Sequence, residues 1–129
     1  MVRFLLICCG GAAGTGARYL LGGWIARTAG GSFPWSTLVI NVSGSFAIGV
    51  IMAAALRTGA MSETTRIVLT TGVLGGFTTY STFNYETLEL VKQGAWAWGV
   101  LNAAMTFAGC LAAGALGSWL GLSLTRNVG

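Results

Sequence analysis

Long runs of this chain carry no charge. Asp, Glu, Lys and Arg are all absent from residues 28–56, 67–85 and 93–125. A helix needs about 20 mostly apolar residues to cross a bilayer. The first and third runs exceed that length and the middle one nearly reaches it. A further apolar segment at 2–26 holds Arg3 and Arg18, with Arg27 just beyond. A soluble fold would have to cover its surface with polar groups, and seven basic plus three acidic side chains cannot do that. The sequence therefore reads as an all-α, multi-pass protein of the cell (inner) membrane. It is one domain over 1–129, with transmembrane helices at about 2–27, 35–56, 63–92 and 95–124.

Composition and spacing remove several other readings. Arg3 followed by Phe4–Cys9 resembles a secretory leader, but no soluble sequence follows to be secreted. The basic residues are scattered along the chain without a patch or stripe, so nucleic acid is not an expected partner. Cys8, Cys9 and Cys110 lie within predicted spans, histidine is absent, and no zinc spacing occurs. The glycine-rich GGAAGTGAR at 10–18 is neither a dinucleotide fingerprint nor a phosphate loop. It reads instead as a small-residue face, Gly10 and Gly14, that lets another helix come close.

The spans contain more polar groups than lipid contact explains. Arg18 lies within or near the end of helix 1. It either faces protein and a watery vestibule or snorkels to the headgroups. Pro34, the single proline, suits the start of helix 2. Asn41 sits mid-span in helix 2 and must find partners. Two roles are open to it: a hydrogen bond to a neighbouring helix, or a place on an ion path. Ser62 is placed to cap helix 3.

Within helix 3, GVLGGFTTYSTF at 72–83 sets three glycines before a run of hydroxyl and aromatic side chains. Glycine is costly in helices, and Ser and Thr compete for backbone bonds, so a break is expected near Gly75–Thr79. Broken backbone at membrane depth must be buried in protein or line a cavity. Its freed carbonyls are potential cation ligands. Tyr80 and Phe83 share one face, and Thr79, Thr82 and Glu86 another. In helix 4, Asn102, Thr106 and Cys110 form a weakly polar stripe, suited either to gluing helices or to lining a pore. Trp24, Trp35, Trp96, Trp98 and Trp119 fall near predicted span ends, where indoles favour the membrane–water interface.

Four spans put Arg3, Arg57, Arg66 and Arg126 on one side, and Arg27 and Lys92 on the other, with Arg18 added if it snorkels there. That bias is too weak to fix one orientation. Insertion both ways round would allow an antiparallel homodimer, and four short helices need a partner to enclose an ion path.

The motifs now described resemble the Fluc (CrcB) family of fluoride channels across essentially the whole chain. GAAGTGARY at 11–19, PWSTLVINVSGSF at 34–46 and GVLGGFTTYSTFNYE at 72–86 are similar to the signatures of its first three helices. The resemblance implies a fluoride-selective passive channel, not an enzyme, that exports cytoplasmic fluoride and lowers its toxicity. It implies a dual-topology antiparallel homodimer in membrane lipid, with two pores. Asn41, Tyr80 and Phe83 would line each pore, with Thr79, Ser81 and Thr82 beside the aromatics and Arg18 at a vestibule. A structural Na+ at the dimer centre would be held by the backbone carbonyls of Gly75 and Thr78. Glu86 matches an acidic family position of open role. The chain departs from the family at Tyr80, where Phe is usual, and at Cys110 and Gly114, where Ser and Thr are. The alternative is a small dual-topology proton-coupled multidrug exporter. That design needs a carboxylate in helix 1, which has none here.

Overall fold

The computed structural model describes residues 1–126, and its regular elements are all helical, with no strand among the described residues. The elements are α1 (Val2–Ala29), α2 (Trp35–Thr58), α3 (Glu63–Ile67), a wide-turn segment Val68–Leu74, α4 (Gly75–Phe77), α5 (Tyr80–Lys92) and α6 (Trp96–Leu124). By length and hydropathy, α1, α2 and α6 can each cross a membrane. The segment between them is divided into shorter pieces.

Local chemistry sets the ends of these elements. Pro34 is the N-cap of α2, and its carbonyl accepts the Leu38 N–H at 3.2 Å. At its other end α2 stops on Gly59, whose φ of 61° is left-handed and whose N–H returns to Ala55. That conformation is costly for any residue with a Cβ. Ser62 caps α3, as the sequence suggests, by accepting the Thr65 N–H at 3.1 Å. The wide turns that follow coincide with Thr70, whose hydroxyl donates back to the Arg66 carbonyl at 2.9 Å. Such back-bonding loosens a helix, and π-type turns are often found at functional sites.

Two glycine-lined seams hold the bundle together. Along the first, α1 packs on residues 68–77. A Cβ on Gly10 would sit 3.1 Å from the Val68 carbonyl, and one on Gly72 would sit 2.9 Å from the Ile7 carbonyl. A Cβ on Gly14 would overlap the Val73 carbonyl. The second seam pairs α2 with α6. Here Gly117 meets the Phe46 carbonyl, Gly121 meets that of Val50, and Gly49 meets Gly114 and Ser118. Lipid supplies no hydrophobic drive between helices, so close backbone contact has to hold them.

Burial is inverted relative to a soluble domain. Thr37, Asn41, Asn102 and Thr106 are buried, while Phe4, Leu20, Phe107, Leu111, Leu116 and Trp119 are exposed. This pattern puts lipid-compatible groups outside and polar groups against protein.

Candidate functional site

The site lies where the chain between α4 and α5 stops being helical. Thr78 (φ −79°, ψ 159°) and Thr79 (φ −152°, ψ 112°) are extended. Asn41 fixes this point from α2. Its Nδ2 donates to the Thr79 carbonyl at 3.0 Å, and its Oδ1 accepts the Thr79 N–H at 2.8 Å. One side-chain amide thus satisfies both polar groups of one residue in the non-helical link. Because a backbone N–H must face oxygen, the geometry also sets the amide's orientation.

These bonds have consequences for the carbonyls nearby. In an α-helix the Thr79 N–H would close on the carbonyl four residues earlier, that of Gly75. Asn41 takes that N–H instead. The Thr82 N–H would likewise serve the Thr78 carbonyl, but it donates to Thr79 Oγ1 at 3.3 Å, as an N-cap bond of α5. The carbonyls of Gly75 and Thr78 therefore both lose their helical donor. Other carbonyls of this stretch are engaged. The Leu74 carbonyl accepts the N–H and the hydroxyl of Thr78. The Gly76 carbonyl accepts the Thr15 hydroxyl at 3.4 Å.

Beside the link runs a groove of about 860 Å³ between α2, residues 70–83 and α6. Its walls include Asn41, Gly75, Thr78, Tyr80, Phe83, Thr106 and Cys110. Tyr80 and Phe83 stand together, with ring centroids 5.5 Å apart and planes tilted by 56°. Phe83 is half-buried, whereas Tyr80 is 78% exposed. Thr106 Oγ1 is buried and has no hydrogen-bond partner among the described residues. It is an unpaired donor on a residue that lines the groove.

The sequence candidates divide into groups. Asn41, Tyr80, Phe83, Gly75 and Thr78 meet at the groove. Thr79 and Thr82 lie beside it as the cap of α5, their hydroxyls 2.9 Å apart. Ser81 is exposed, with its hydroxyl 3.4 Å from that of Thr79. Arg18 is half-buried on α1, away from the groove walls, with no ion pair among the described residues. Glu86 meets a second hollow of about 190 Å³ near Ser32, Tyr85 and Gln93. Its Oε1 accepts the Thr37 hydroxyl at 3.0 Å, and its Oε2 is buried without a partner among the described residues. Sequence reasoning missed Thr37 and Thr87. The available signal was a hydroxyl one turn or more from a polar partner, which is too common to single out.

The chain has close relatives. The family described as "CrcB-like protein, Camphor Resistance (CrcB)" matches residues 5–118. A protein of Anaeromyxobacter dehalogenans named "Fluoride-specific ion channel FluC" is 53% identical over 113 residues, covering 88% of this chain and 90% of that one. Its namesake in Geobacter sulfurreducens is 48% identical over 128 residues, covering 99% of this chain and 100% of that one. The Thermus thermophilus protein of the same name is 50% identical over 92 residues, covering 71% and 72%. On a family match spanning the bundle, and on relatives this similar along nearly its full length, the chain belongs to the CrcB family.

Proposed function

We propose that this protein is a fluoride-specific ion channel of the cell membrane, a passive conductor and not an enzyme. The observation that carries the reading is the groove itself. An amide-anchored non-helical link, an aromatic pair and a residue with an unpaired hydroxyl meet at one groove in an otherwise apolar bundle. Fluoride is small and strongly hydrated, so a selective path must replace its water with donors. Amide N–H and hydroxyl groups do so without the trapping that a full positive charge would cause. The rims of aromatic rings carry partial positive charge and can face an anion. Asn41, Tyr80 and Phe83 would form the path, with Thr79, Ser81 and Thr82 beside it and Arg18 at an aqueous vestibule. A proton-coupled exporter is not favoured, because α1 holds no carboxylate.

The proposal extends to assembly. The groove opens on the surface of a single chain and needs a second wall. An antiparallel partner, inserted the other way round, would close it and yield two paths per dimer. Residues 63–92 would then act as one membrane span broken at Thr78–Thr79. The family implies a sodium ion at the dimer centre. The carbonyls of Gly75 and Thr78 suit it, since both have lost their helical donors and carbonyl oxygens are ligands for hard cations. The ion would supply positive charge that holds the two breaks together.

Purified protein in liposomes, loaded with fluoride or chloride and followed by ion-selective electrodes, tests the function. Fluoride should leave and chloride should not. Folded, dimeric protein that released no fluoride would overturn the reading.

A further inference from the structure

Asn102 is the most deeply buried large side chain among the described residues, at 1% exposure. It lies on α6, and neither the groove nor the chain break uses it. Its Nδ2 donates to Thr87 Oγ1 at 2.8 Å, and that hydroxyl donates to the carbonyl of Phe83 at 2.7 Å. A threonine hydroxyl has one proton, and here it is directed at Phe83. The relay is therefore directional: amide to hydroxyl to carbonyl.

The contact is built for close approach. Gly99, three residues before Asn102 and on the same face of α6, faces α5. A Cβ there would lie 2.8 Å from Val91 Cγ2 and 3.4 Å from the Thr87 carbonyl. The missing side chain lets α6 come near enough for the short Asn102 side chain to reach Thr87. Phe83 has no comparable glycine seam behind it. Among the described residues, few hydrogen bonds tie α5 to the rest of the bundle: Asn41 at its cap, Thr37 to Glu86, and this relay. Of these, only the relay ends on the backbone of a groove aromatic.

We propose that Asn102 and Thr87 are positioning residues that set the height and tilt of the Phe83 ring against the groove. The inference rests on the reading of the groove as an anion path. Loss of one interhelical hydrogen bond in a membrane shifts a local equilibrium by about three- to tenfold. A ring edge displaced by that equilibrium meets the anion less often, so the half-saturating fluoride concentration should rise by about the same factor.

The test compares Asn102→Ala, Thr87→Val and the conservative Thr87→Ser in the dimeric protein. Two readouts are taken. One is fluoride flux against concentration in liposomes. The other is the ¹⁹F spectrum of protein carrying 4-fluorophenylalanine at position 83, which needs no flux. The expected result is a raised half-saturating concentration and a shifted or split ¹⁹F resonance in Asn102→Ala and Thr87→Val. Thr87→Ser should restore both to the parent values. Unchanged resonance and unchanged half-saturation in folded Asn102→Ala and Thr87→Val would overturn the relay. An altered maximal flux alone, without either change, would do the same and leave Asn102 as helix glue. A parent protein that conducts no fluoride would sink the channel reading instead, and the ¹⁹F spectra would still decide whether the relay places the ring.

Discussion

The two sides of the Thr78–Thr79 link are held by different means. On the N-terminal side, Val68–Phe77 meets α1 backbone to backbone, through Gly10, Gly14, Gly72 and Gly76. On the C-terminal side, α5 carries no such seam where its aromatics stand. It is tied by hydrogen bonds from Asn41, Thr37 and Asn102. A seam of many small contacts cannot move a little without losing a lot, because packed backbone leaves no slack. A helix hung on three polar ties can be retuned one tie at a time. The groove's aromatics are on the tunable side, and the diverted carbonyl of Gly75 is on the rigid side.

The largest effect should come from the rigid side. Gly14→Val would drive a side chain into the Val73 carbonyl and towards the Phe77 amide, both backbone and unable to step aside. Overpacking of this kind costs about 3 kcal/mol or more, since the backbone itself must shift. The variant should fail to give a monodisperse species on size-exclusion chromatography in detergent. A well-behaved Gly14→Val protein with parental flux would show that the seam is looser than the packing implies. Gly16, which has nothing near its Cβ position, is the control: Gly16→Ala should behave as the parent.

On the tunable side, Asn41→Asp should leave the fold but suppress conduction. The aspartate keeps an oxygen for the Thr79 N–H, yet it cannot donate to the Thr79 carbonyl while ionised, and it adds negative charge beside the proposed anion path. A lost hydrogen bond at the link and a repelled anion together warrant a fall in fluoride flux of roughly two orders of magnitude. Flux from folded Asn41→Asp within about threefold of the parent, less than one interhelical hydrogen bond is worth, would move Asn41 to a purely structural role.

How much of this was legible in the sequence follows the same division. The Gly10–Gly14 face and the Ser62 cap were readable because each depends on local spacing, and the structure puts both to use. The membrane character was readable from the uncharged runs and fits the three helices long and apolar enough to span. The partners of the polar residues were not. Asn41 bonds a residue 38 positions away, and Asn102 bonds one 15 positions away across a turn. Nothing in the local sequence distinguishes an amide that grips a peptide from one that faces an open path. In this fold the same amide does the first while standing on the wall of the groove. The polar stripe of α6 divides likewise. Asn102 serves as a tie between helices, and Thr106 lines the groove with its buried hydroxyl unpaired among the described residues.

That division yields the smallest and most discriminating prediction. Thr106 Oγ1 is buried with no partner among the described residues, and Cys110, one turn on, offers only a weak thiol donor. If the hydroxyl of Thr106 exists to meet a passing anion, the empty protein bears an unsatisfied polar group. Thr106→Val keeps the shape and removes that group. Replacing an unpaired polar atom with an apolar one of the same shape is neutral or stabilising, so the melting temperature in detergent should hold or rise. Fluoride flux should fall by about three- to tenfold, the worth of one hydrogen bond to the ion. Thr106→Ser should conduct as the parent does, and Cys110→Ser should conduct more, by adding a donor to the same wall. The two signs must oppose each other. A Thr106→Val protein that lost stability and flux together would mark Thr106 as packing, and the tunable side of the molecule would then end at α5.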